Sequence, residues 1–94
     1  MPDNPRDRAQ ALFDAGDFSQ SRRAALEGLA SAPQDVQLLV LAGRAGIEVD
    51  AEDAADQLRR AVQLAPEDAV AWHHLGEALA AEGRTEEADA AFRR

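Results

Sequence analysis

His73, His74 and Glu77 are the residues best equipped for chemistry: the chain's two histidines, with a carboxylate four and three positions further on. On a helix, adjacent positions point about 100° apart, so the two imidazoles cannot jointly clasp one metal. His73 and Glu77 do share a face at i, i+4, which supplies two ligands for a transition metal. No second cluster completes the set, and the chain has no cysteine. No metal site is expected. Carboxylates abound in two runs, Asp50, Glu52, Asp53 and Asp56, then Glu86, Glu87 and Asp89. Paired acid and base groups need a low-dielectric cleft to separate their pKa values. These runs read instead as acidic helix starts with solvated faces. Ser19, Ser21 and Ser31 have no histidine in a triad-like pattern, and no Gly-rich phosphate loop is present. The reading is therefore not an enzyme: no catalytic residue and no cofactor.

The elements that position these residues are helices. Twenty-two alanines and 46% hydrophobic content, with only four aromatics, suit close helix-on-helix packing. Strand formers are scarce: five Val, one Ile, one Thr and no Tyr. At 94 residues the chain is one domain's worth, near the low end for building its own core. The formal net charge is −8, and every cation is arginine. An acidic chain repels phosphate backbones and anionic surfaces, so nucleic acid and membrane are not expected as partners. The first residues lack the basic and apolar regions of a signal peptide. No apolar run approaches the ~18 residues of a membrane span. A cytoplasmic location is the expectation.

Six helices are predicted, near 5–15, 18–31, 35–47, 51–64, 68–81 and 85–94. Gly16 and Gly83 are stop signals that take the left-handed conformation without a Cβ penalty. Asp35, Asp50, Asp68 and Thr85 are the predicted N-caps. Pro33 and Pro66 end their helices because neither can sit in a helix interior. The third helix admits two inward stripes, Leu39, Ala42, Gly43 and Gly46, or Leu38, Leu41, Ala42 and Ala45. The first is preferred because it keeps Gly43 where two helices approach closely.

The pattern repeats. Ala32-Pro33-Gln34-Asp35 lies over Ala65-Pro66-Glu67-Asp68 at an offset of 33, which also brings Gly43 under Gly76 and Ala45 under Ala78. Ala54 and Ala88, and Leu58 and Phe92, are 34 apart, so the period slips by one. The slip is expected as a shorter turn near 47–50. Leu12 and Gly16 precede Leu79 and Gly83 by 67, which marks a degenerate first copy. The stretch Trp72-His73-His74-Leu75-Gly76-Glu77-Ala78-Leu79, followed by Ala88 and Phe92, resembles the tetratricopeptide-repeat signature W-x2-L-G-x2-Y…A-x3-F, with leucine in place of tyrosine. The expected fold is an all-α solenoid of α-hairpins, a right-handed superhelix of about six antiparallel helices. Residues 1–94 form a single domain with repeats near 2–34, 35–67 and 68–94, the last truncated.

In this family the first helix of each pair lines a concave groove that holds a peptide or partner helix. Carrying those positions across gives Arg6, Gln10 and Phe13, then Gln37, Val40, Leu41 and Arg44, then His73, His74 and Glu77. Gln37 and Leu41 are alternatives that depend on the register of the third helix. The lining suits a partner with an apolar anchor and an acidic or C-terminal group. Members that clamp a chaperone's C-terminal carboxylate use Lys, Asn, Asn, Lys and Arg. The matching residues here are Arg6, Gln10, Leu41, Val70 and His74, of which only Arg6 is a fair replacement, so that variant is disfavoured. The implied function is a protein–protein interaction scaffold. The rival readings are a homo-oligomerising element stacking through an open C-terminal face (Leu75, Leu79, Phe92) and a regulatory fragment of a larger protein.

Overall fold

The computed structural model describes residues 4–94 and holds six helices: α1 (Pro5–Asp14), α2 (Phe18–Ser31), α3 (Val36–Glu48), α4 (Ala54–Leu64), α5 (Ala69–Ala81) and α6 (Thr85–Phe92). The starts are set by short polar side chains that satisfy otherwise unpaired amides. Asn4 accepts from the Arg6 amide ahead of Pro5, and Asp17 accepts from Gln20. Asp35 accepts from Leu38, and Asp68 from Val70 and Ala71. The predicted caps at Asp50 and Thr85 do not form. Helix α4 begins at Ala54 with Asp53 at its N-cap, and α6 begins at Thr85 itself behind Arg84.

Asp50 has a different job. Its φ is 56°, beside 82° at Gly16 and 79° at Gly83. In each case the next residue's amide reaches back to close the helix end: Asp17 to Leu12, Ala51 to Gly46 and Arg84 to Leu79, at 2.9, 2.8 and 2.9 Å. This is the Schellman closure, and aspartate tolerates the left-handed position better than most side chains. The turn through residue 50 therefore matches its counterpart. The missing residue of the shorter repeat lies just beyond it, before Ala54.

Consecutive helices pack on one another, and α1, α3 and α5 also touch in series. The backbones of α2, α4 and α6 stay apart, and long ion pairs span the gaps: Arg22 to Asp53 at 3.0 Å and Arg59 to Glu87 at 4.0 Å. One layer is thus narrow and the other splayed, which curves the stack toward α1, α3 and α5. The molecule measures 42 × 24 × 19 Å, longer along the stack than a bundle around one centre.

Helix α3 sits in the middle and touches α1, α2, α4 and α5. Both predicted stripes are buried on it: Leu38, Leu39, Leu41, Ala42, Gly43, Ala45 and Gly46. A helix covered on several sides has no single inward face, so the choice between registers dissolves. At Gly43 an added Cβ would lie 2.3 Å from Leu58 Cγ, which explains the absence of a side chain there. Alanines at Ala9, Ala25, Ala42, Ala45, Ala61 and Ala71 are almost wholly buried and let the helices close in. Ser21, the one buried polar side chain of this core, donates to the Ala9 carbonyl at 2.7 Å and ties α2 to α1.

Candidate binding groove

The concave face is built from α1, α3 and α5, and the repeat offsets arrange it in rows. Arg6, Val40 and His73 form one row; Gln10, Arg44 and Glu77 form the next. Between α1, α3 and the start of α5 lies a cleft of about 370 Å³ lined by Gln10, Val36, Gln37, Val40, Leu41, Arg44, Asp68 and Val70. Its apolar walls are Val36, Val40, Leu41 and Val70. Val70 is 58% exposed, the most exposed of the large hydrophobic residues described.

The expected groove residues divide by what holds them. Gln37 is exposed and Val40 half-buried, and both line the cleft. Leu41 contributes only its edge, being 2% exposed. Gln10 donates to Asp14 at 2.9 Å. Phe13 is half-buried and packs edge-on against Phe18 with centroids 5.0 Å apart. The Arg44 guanidinium lies 4.3 Å over the Phe13 ring, a cation–π contact. Phe13 is therefore a platform for Arg44 as much as a surface for a partner.

Most charges around the cleft are engaged by neighbours. Arg6 faces Asp35 at 3.5 Å. Asp35 and Asp68 also cap their own helices. Glu77 meets His74 Nδ1 at 2.6 Å through one oxygen and His73 Nε2 at 3.7 Å through the other. Both imidazoles thus turn toward one carboxylate, and His73 also packs against Phe92 at 5.5 Å. His74 is largely covered, its side chain 16% exposed, so His73 is the ring offered to a partner. Among the described residues Arg44 has no carboxylate partner. The one cation lining the cleft is thus unpaired, in a chain whose net charge is −8.

Sequence reasoning passed over Val36 and Asp68, and took Val70 only for the clamp comparison. The available signal was a valine directly behind, or one residue beyond, a capping aspartate, off the core stripe. At the other end, the three residues assigned to an open C-terminal face are not alike. Leu75 and Leu79 are buried, at 4% and 2% exposure, while Phe92 is 46% exposed with its ring laid on Gly76. Helix α6 covers the two leucines, and the Arg94 guanidinium sits 4.8 Å over Trp72. The two leucines contribute only their edges to a shallow pocket between α5 and α6, beside Trp72, Ala90 and Ala91. Among the described residues no helix is long and apolar enough to cross a membrane.

No protein-family model matches the chain, and a search of curated proteins finds no match. Among solved structures it is similar to the second TPR of Spaghetti (RPAP3) bound to the HSP90 peptide SRMEEVD. The TM-score is 0.88 at 21% identity, over 95% of this chain and 83% of that one. At that identity the likeness is one of backbone architecture, and it agrees with the helix pairs described above: the chain has the tetratricopeptide-repeat fold.

Proposed function

We propose that this chain is a protein-interaction module that holds a segment of a partner protein against its concave face. The observation that carries the reading is Arg44: a guanidinium held on Phe13, without a carboxylate of its own among the described residues, beside an apolar cleft. Such a site supplies an anchor pocket and a charge-assisted hydrogen bond, the two elements that peptide grooves combine. The similar fold of the Spaghetti (RPAP3) domain, bound to an HSP90 peptide, supports a peptide as the partner segment. The residues matching a carboxylate clamp support a different grip. Leu41 and Val70 offer no side-chain donor, and Arg6 is already engaged by Asp35. No catalytic role is proposed, and a single domain acting in the cytoplasm fits the reading.

The test is a titration with a peptide selected on the wild-type protein. Arg44→Glu replaces attraction by repulsion at one point of the groove. It should weaken binding by about 1–3 kcal/mol, the cost of leaving a desolvated partner group unsatisfied. Unchanged affinity, with the fold verified by circular dichroism, removes Arg44 from the site.

A further inference from the structure

We infer that the groove reads an internal, extended stretch of its partner, in which an apolar side chain is followed two residues later by Asp or Glu. The inference rests on the peptide-binding reading above and specifies its ligand. An apolar side chain enters the cleft between Val36, Val40 and Val70, and the carboxylate meets Arg44. No chain terminus is required.

Three observations lead there. The first is charge. Asp68, the one carboxylate lining the cleft, caps its own helix, and Asp35 and Glu77 are engaged by Arg6 and the histidines, whereas Arg44 is unmatched among the described residues. One guanidinium suits one side-chain carboxylate. A terminal carboxylate preceded by further acids would need several cationic donors together, and Arg44 is the one cation among the cleft-lining residues.

The second is spacing. Val40 and Arg44 stand one helical turn apart on α3, about 6 Å at a rise of 1.5 Å per residue. In an extended peptide, side chains on one face recur every second residue, about 6.6–7 Å apart. A strand-like segment running along α3 therefore presents an anchor to the cleft and an acid to Arg44 without bending.

The third is size. The cleft, about 370 Å³, has room for one or two side chains. A bound helix presents apolar residues at i, i+3, i+4 and i+7 and needs a continuous apolar trough. Here the apolar stretch is short. The Arg6–Asp35 pair and the His73–Glu77–His74 group stand on α1, α3 and α5 around it.

The experiment uses the whole chain and two probes. One is a random twelve-residue library displayed with the peptide continuing into its carrier, so that no free C-terminus exists. The other is an array of peptides with free C-termini. The internal library should enrich an apolar residue followed two positions later by Asp or Glu. The best sequence, made as a C-terminal amide, should bind within twofold of the free acid. Replacing its acid by Asn should weaken binding at least tenfold. In Arg44→Gln that tenfold difference should shrink to under threefold, while Val70→Asp should abolish binding of every version. Binders from the free-terminus array alone overturn the inference and leave the interaction module standing. An internal consensus lacking the spaced acid overturns it too. No binder from either probe overturns the peptide-binding reading itself.

Discussion

Alanine at Gly43 and alanine at Gly76 add the same methyl group at equivalent points of two repeats, and the structure predicts unequal costs. At Gly43 the new Cβ would stand 2.3, 2.7 and 3.0 Å from Leu58 Cγ, Cδ1 and Cδ2. Carbon contacts are comfortable at about 3.5–4.0 Å. Leu58 is fully buried, so it has nowhere to retreat. Overpacking of that kind costs about 1–3 kcal/mol, and the better helix propensity of alanine returns about 1. With three atoms of one trapped side chain in conflict, the net should be a loss of roughly 1–2 kcal/mol. At Gly76 the methyl would stand 2.4 Å from the Phe92 ring, an equally bad overlap on paper. Phe92 is 46% exposed and its ring can swing outward. The lost ring contact and the gained propensity nearly cancel, leaving a change within about 0.5 kcal/mol. For a domain of this size 1 kcal/mol moves Tm by about 4–8 °C. Thermal melts followed by circular dichroism should show Gly43→Ala falling by roughly 5–15 °C and Gly76→Ala hardly moving. Equal losses, or a larger loss at Gly76, would refute the reasoning that mobility of the neighbour decides the cost.

Two further predictions concern the frame around the groove. Asp50→Gly relieves a left-handed non-glycine residue, a strain of about 1–2 kcal/mol that aspartate partly evades, against roughly 0.5–1 for the extra freedom of unfolded glycine. Urea unfolding should show a gain of about 0.5–1 kcal/mol, and a loss would mean that the Asp50 side chain is needed in the turn. Ser21→Ala removes the buried hydroxyl that binds the Ala9 carbonyl at 2.7 Å. A cost of about 1 kcal/mol is expected in the same assay, and no change would show that the tie between α1 and α2 contributes nothing.

Much of the fold was legible because its punctuation is local. Gly16, Gly83, Asp35 and Asp68 each act through their own backbone neighbours, so residue type alone announces them. Asp50 was misread for the same physical reason that makes it useful. A short polar side chain suits both an N-cap and the left-handed position, and the choice depends on where the preceding helix closes. The cap of α6 falls one residue earlier than expected because Arg84 stands there and pairs with Glu87 in the first turn, instead of a hydroxyl binding an amide.

The groove was half legible. Repeat arithmetic located Val40 and Arg44, but pairing cannot be read from one strand of text. That Asp35 neutralises Arg6, that Phe13 carries Arg44, and that Glu77 serves both histidines are contacts between helices or around a turn. The same limit applied at the C-terminal face. The eight residues of α6 suffice to bury Leu75 and Leu79, which periodicity alone left uncovered.

The most direct test of a concave binding face is an amide and side-chain NMR titration with a peptide chosen by the displayed library. Shift changes should concentrate on Gln10, Gln37, Val40, Arg44 and Val70 and shrink at the same peptide concentration in Arg44→Glu. Changes gathered instead on the outer surfaces of α2, α4 and α6 would contradict it.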